Sequence, residues 1–146
     1  RSVGIPPHDP LILALEQANV TLWNDLDLLY FANPQARYLG VTGTNGKSTV
    51  TSLIGHILAE NNVPVAIGGN LGLAAPSLPP LDANGIYVLE LSSYQLATAK
   101  LLRCDIAVLL NITADHLAWH GSMEAYIASK ALIFRLRDHH RQMAVI

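Results

Sequence analysis

At 146 residues, with 51% of them hydrophobic and only 14% charged, the chain is long enough for one domain with a real core and is not disordered. A formal net charge of −2 gives no general field for nucleic acid or an anionic membrane surface. Cys104 is the only cysteine, which excludes an internal disulfide and points to a reducing compartment.

The chain opens RSVGIPPHDP, a proline-rich connector with neither an initiator methionine nor the apolar stretch of a signal peptide, which points to a segment of a longer protein. No apolar run further on reaches the length of a membrane span. Helices are expected near residues 10–18 and over 23–31, either closing a sheet or belonging to a preceding domain. Residues 37–41 then read as a short buried strand, followed by the turn-forming stretch GTNGKST, Gly43 to Thr49. Its spacing is not that of the commonest phosphate loop, which needs a glycine five residues before Gly46, where Val41 stands. After it Val50, Leu53, Ile54, Ile57 and Leu58 recur at helical spacing, so residues 47–61 are expected to be an amphipathic helix.

Lys47 falls in the first turn of that helix, where the dipole disfavours a cation unless an anion shares the spot. Free amides at the helix start, with Lys47 and the hydroxyls of Ser48 and Thr49, form a socket for phosphate and its magnesium. The plainer reading is a Ser/Thr-rich helix start with a solvated lysine. A strand at 64–67 leads into GGNLG, Gly68 to Gly72, where Asn70 offers an amide; the dinucleotide spacing is absent and a flexible turn would explain the glycines. The strand 86–91 carries Glu90 near its end, placed either to hold magnesium or simply to meet solvent. Ser92 and Gln95 form an S-x-x-Q capping box for a helix over 93–102, which accounts for both without any catalytic role.

A further buried strand, 105–111, delivers Asn111, Thr113, Asp115 and His116 into one loop. His116 and His120 are four apart, but Leu117 stands where a zinc protease needs glutamate, so zinc is set aside. His116 reads as a histidine near phosphates, in the outer sphere of magnesium or as its ligand, or as an ordinary loop residue. In the helix expected over 122–138, Met123, Ile127 and Phe134 mark an apolar stripe with Tyr126 and Ile133 beside it, and Lys130 lies on that stripe. Such a lysine either snorkels to water or is desolvated, with a lowered pKa that allows a carbamate to form with carbon dioxide. A last strand, 143–146, is cut short, so the domain is expected to continue. Strands interleaved with helices indicate an α/β fold: a P-loop-containing, mostly parallel sheet with helices on both faces.

GTNGKST, GGNLG, LELSSYQL (89–96), NITADHL (111–117) and the pair Tyr126 and Lys130 together resemble, in order, the motifs of the Mur ligase family. GGN-x-G and LELSS-[FY]-QL resemble its D-glutamate-adding branch. SVGI, residues 2–5, resembles the S-P-G-I segment that closes the family's amino-terminal UDP-binding domain. The resemblance covers nearly the whole chain. It implies that residues 1–25 are the end of that amino-terminal domain and a linker, and that 26–146 are the central ATP-binding domain, truncated at its carboxyl side.

The activity implied is ATP-dependent ligation in cytoplasmic peptidoglycan precursor synthesis, by an enzyme that is monomeric when intact. ATP phosphorylates the carboxylate of UDP-N-acetylmuramoyl-L-alanine, the amine of D-glutamate attacks the acyl phosphate, and phosphate leaves. By the same resemblance, Gly43, Thr44, Asn45, Gly46, Lys47, Ser48 and Thr49 hold ATP, with Lys47 on the β- and γ-phosphates. Ser48 and Glu90 hold one magnesium; His116 and a carbamylated Lys130 hold a second. Asn70 and His116 lie near the UDP-sugar and Gly4 near its diphosphate, while Lys47, His116 and Lys130 are the catalytic set.

Two positions depart from the family pattern. Val3 replaces a proline, and Ala118 with Trp119 replaces a common Asp-Arg pair. The family's D-glutamate pocket lies outside these residues, so the chain alone is expected to be inactive. Competing readings are another amide ligase of the superfamily such as a folylpolyglutamate synthase, against which LELSSYQL and GGNLG argue, a nucleotide-dependent switch, and a non-catalytic relative that binds ATP and UDP-sugar.

Overall fold

The computed structural model describes residues 5–6, 8–135 and 142–146. Five strands, β1 (Arg37–Thr42), β2 (Val65–Gly69), β3 (Ile86–Glu90), β4 (Ile106–Leu109) and β5 (Met143–Val145), form one sheet in the order β2-β3-β1-β4-β5. Every pairing is parallel. The helices are α1 (Pro10–Gln17), α2 (Asp25–Ala32), α3 (Lys47–Glu60), α4 (Ser93–Thr98), α5 (Leu117–His120) and α6 (Met123–Ala131). None among the described residues is long and apolar enough to cross a membrane.

The central strands are mostly apolar because both faces of the sheet are covered, with Thr42 and Glu90 as polar residues at their carboxyl ends. On one face Leu39, Val41, Val88 and Val108 pack against Val50, Ile54 and Leu58 of α3. On the other, Tyr38, Tyr87, Leu89 and Leu91 meet Leu26 and Leu29 of α2, Leu96 of α4 and Ile133. The rings of Tyr38 and Tyr87, on neighbouring strands, stack with centroids 5.2 Å apart. Burial pushes the Cys104 thiol up to about 12, so this cysteine is a packing residue.

Three expected helices differ in detail. The buried stripe of α3 is narrower than its apolar spacing implies: Leu53 and Ile57 are exposed, while Thr51 and Gly55 face the sheet. Gly55 is there because a side chain would collide with Ile67. The buried face of α6 is Tyr126 and Lys130, whereas Ile127, assigned to the stripe, is exposed. That helix stops at Ala131, tightens into a 3-10 turn at Leu132–Phe134, and the rest of its expected span reaches residues that are not described. One short helix, α5, lies where only a loop is expected.

The third difference has an identifiable cause. Helix α4 ends at Thr98, four residues early, because Asp27 takes over the amides that follow. Its carboxylate accepts from the backbone N–H groups of Lys100 (2.9 Å) and Leu101 (2.7 Å) as well as from Asn24 at its own helix start (3.2 Å). Asn24 closes the reciprocal capping box and donates to the Gln95 carbonyl at 2.9 Å. Both side chains are fully buried, so α2 is fastened to the sheet unit from Asn24 onward. Replacing Asp27 with alanine strands the buried amide of Asn24 and the part-buried amides of Lys100 and Leu101, and a loss of about 3 kcal/mol is expected in denaturant unfolding.

Candidate active site

The order of the strands reverses beside β1, and ligands in such sheets sit at the carboxyl edge at that point. A cleft of about 100 Å³ opens there, lined by Gly43, Lys47, Asn70, Ser92, Ser93, Tyr94, Asp115, His116, Tyr126 and Lys130. Residues far apart in sequence are therefore brought to one place by the ends of four strands.

Between β1 and α3 the loop turns through Gly46, whose φ of 83° lies in the left-handed region that glycine tolerates without strain. No side chain caps the first amides of α3. Lys47 folds back over the loop, its Nζ donating to the Thr44 carbonyl at 2.8 Å. An uncapped helix start beside an ammonium group suits an anion. Ser48 and Thr49 continue the first turn, both exposed. The Thr44 hydroxyl donates to the Thr113 carbonyl at 3.1 Å, accepts from the Thr113 N–H, and lies 3.0 Å from the Tyr126 hydroxyl.

Glu90 is 3% exposed, and both its oxygens are held. The Ser48 hydroxyl donates to Oε2 at 2.6 Å and the Asn70 carboxamide donates to Oε1 at 2.8 Å. The GGNLG turn can approach so closely because Gly69, with φ of 92°, has no side chain to strike the Glu90 backbone oxygen. Asn70 N–H then bonds that same oxygen at 2.9 Å. Hydroxyl and carboxylate oxygens are the donors magnesium prefers. Among the described residues no group of three or more His, Cys, Asp or Glu could hold a metal. The donor set instead fits a magnesium bound through one or two protein oxygens and shared with phosphate and water.

Lys130 is 2% exposed. Its Nζ donates to the Gly43 carbonyl at 2.8 Å and to the Thr42 hydroxyl at 3.4 Å, and stands 4.8 Å from the Tyr126 ring centroid. Burial pushes the ammonium down to about 8; Lys47 adds to the fall and Asp115 opposes it. The neutral amine is thus far more accessible near neutral pH than in an ordinary lysine, while the ammonium remains the major form there. His116, at a left-handed φ of 53°, donates its backbone N–H to Asp115 Oδ1 at 2.8 Å, and its Nε2 lies 3.3 Å from Asp115 Oδ2. Its ring rests 4.9 Å from that of Tyr94.

Of the residues singled out in the sequence, Gly43, Lys47, Asn70, His116 and Lys130 line the cleft, and Ser48 and Glu90 adjoin it through Asn70. Gly4 lies outside the described residues. Sequence reasoning missed Tyr94 as a wall residue; it placed Asn111 and Asp115 in one loop with His116, paired Tyr126 with Lys130 and set His120 aside with zinc, but gave none of the four a part in the site. His120 is stacked on Tyr94 at 5.6 Å and joined to Ser93 at 2.9 Å and Ser129 at 3.3 Å. Burial, then the nearby His116 and Lys130, keep His120 below the usual imidazole range. Trp119, in the departing pair, packs edge-on against Tyr94 and His120. A residue's position after a strand was visible in sequence; which side chains turn inward from the short helix α5 was not.

Comparison with known proteins bears on this arrangement. The family described as Mur ligase middle domain matches residues 41–146. The UDP-N-acetylmuramoylalanine--D-glutamate ligase of Rhodospirillum rubrum is 56% identical over 139 residues, covering 92% of this chain and 29% of that protein. The protein of the same name from Sphingopyxis alaskensis is 46% identical, covering 99% of this chain and 34% of that one. The chain thus spans about a third of the length of the curated relatives it matches. Among solved structures, a UDP-N-acetylmuramoyl-L-alanyl-D-glutamate--2,6-diaminopimelate ligase is 31% identical with a TM-score of 0.52, over 82% of this chain and 26% of that one. E. coli FolC in complex with DHPP and ADP is 18% identical with a TM-score of 0.56, over 92% of this chain and 45% of its own, a likeness of fold.

Proposed function

The chain belongs to the Mur ligase family, through the family's middle domain, and from that premise we propose that it is the ATP-binding part of a ligase that adds D-glutamate to UDP-N-acetylmuramoyl-L-alanine. The observation that carries the proposal is the convergence on one cleft of the uncapped start of α3 with Lys47, Asn70 on the buried Glu90, His116, and the buried Lys130. The names of the relatives supply the substrates. Residues 1–25 are proposed to be the end of a preceding UDP-binding domain and its linker, and 26–146 the middle domain. The intact enzyme is proposed to be monomeric and cytoplasmic, and to bind no nucleic acid.

The chemistry proposed is a phosphoryl transfer followed by an acyl transfer. A carboxylate oxygen of the UDP-linked substrate attacks the γ-phosphorus of ATP and ADP departs, leaving an acyl phosphate. The amine of D-glutamate, having lost its proton, attacks the acyl carbon, and phosphate leaves with the bonding pair. Positioning and charge neutralisation supply most of the rate in such transfers.

The residues divide the work accordingly. The amides of α3 and Lys47 hold the phosphates, with Gly43, Thr44, Asn45, Gly46, Ser48 and Thr49 shaping the cradle. Ser48 and Glu90 fit one magnesium, and His116 with Lys130 as its carbamate fit a second. Bound magnesium would neutralise phosphate charge and act as a Lewis acid. Asn70 and His116 face the UDP-sugar, with Gly4 on its diphosphate.

The test is phosphate release by the intact protein with magnesium-ATP. Release should require both UDP-N-acetylmuramoyl-L-alanine and D-glutamate, with L-glutamate failing. ATP turnover indifferent to both would contradict the ligase and favour a nucleotide-dependent switch.

A further inference from the structure

The phosphate loop is gripped from the side by a residue that no step of the proposed chemistry uses. Leu110 N–H donates to the Thr42 carbonyl at 3.0 Å and Thr44 N–H donates to the Asn111 carbonyl at 3.0 Å, so the pairing of β1 with β4 runs on beyond both strands. The Asn111 side chain then extends the ladder by one more rung. Its Oδ1 accepts from the N–H groups of Thr44 (3.2 Å) and Asn45 (3.0 Å), and its Nδ2 donates to the Asn45 carbonyl at 3.0 Å. A carboxamide offers an acceptor and a donor in one plane, which is what grasping both ends of one residue's backbone demands.

We propose that Asn111 is a positioning residue for the phosphate loop, clipping Asn45 so that the loop and the segment carrying His116 move as one piece. The proposal rests on the reading of this loop as the ATP site. Three observations support it. The amides of Thr44 and Asn45 are committed to Asn111, which leaves those from Gly46 onward to meet an anion. Two residues along, Thr113 is fixed to the Thr44 hydroxyl by both its N–H and its carbonyl, so the clip has a second jaw. Asn111 is itself exposed and packs into no core, so these bonds hold the loop and not the fold.

The experiment compares the intact parent protein with its Asn111→Ala and Asn111→Leu variants, the second keeping the volume without the hydrogen bonds. The KM for magnesium-ATP is expected to rise about tenfold in both, as loss of the clip's hydrogen bonds predicts. The KM for the UDP-linked substrate should rise with it, that for D-glutamate should not, and the thermal midpoint should stay at the parent's value. An ATP KM equal to the parent's would overturn the clip alone. A fall in thermal midpoint that accounts for the lost activity would also overturn it, by making Asn111 a fold residue. A parent protein that turns over no magnesium-ATP would overturn the functional reading and the clip together.

Discussion

Replacing Lys47 with alanine in the intact protein is expected to lower ATP-dependent acyl-phosphate formation about a thousandfold, the loss typical when a preorganised donor to a transition-state oxygen is removed. Its Nζ is already poised on the loop, bonded to the Thr44 carbonyl and lining the cleft beside Gly43. Little must be reorganised for it to turn onto phosphate. A lysine in the first turn of a helix opposes the dipole there, and an anion at the same end reverses that sign. Arginine should not rescue, because its planar fork cannot occupy the position of a compact ammonium folded back onto the Thr44 carbonyl. Trapping the acyl phosphate with hydroxylamine measures the step directly; near-normal trapping in the variant would remove the loop from the mechanism.

Lys130→Ala is expected to lower turnover on the order of a hundredfold, the scale for losing a group that tunes a metal site. Short carboxylic acids should restore part of it by lending a carboxylate to the space the carbamate fills. Burial is the cause: at 2% exposure the ammonium is pushed down to about 8, far below an ordinary lysine. The neutral amine attacks carbon dioxide, a nitrogen–carbon bond forms and a proton is released. Formation is therefore favoured as pH rises through about 8 and is lost as pH falls below it, where the ammonium stays on the Gly43 carbonyl. Isotopically labelled bicarbonate should give a carbamate signal in the parent protein that disappears in the variant. Full activity of Lys130→Ala, with no rescue, would refute this role.

The fold was readable because the strands show little polar alternation, as expected of a sheet covered on both faces. The turn from Gly43 to Thr49 between β1 and α3 was readable from its glycines, and Lys47 drew notice because the dipole at a helix start disfavours a cation unless an anion lies there. Lys130 stood out for the same reason, as a charge on an inward face. Its neighbours did not: Ile127 completes an apolar pattern yet is exposed, because the space under α6 is taken by Tyr126 and Lys130. Asp27 ends α4 from 73 residues away, and no local signal foretells that. Asn111 is similar, since an asparagine after a strand reads as a turn residue until its partner loop is in place.

Heavy-oxygen labelling of the substrate carboxylate tests the proposed chemistry most directly. With UDP-N-acetylmuramoyl-L-alanine labelled at that carboxylate, and with magnesium-ATP and D-glutamate present, one labelled oxygen should appear in the released phosphate. The label travels because the attacking carboxylate oxygen becomes the bridge of the acyl phosphate and leaves with phosphorus when the amine displaces it. Unlabelled phosphate, released while ligated product accumulates, would contradict carboxylate activation at this site.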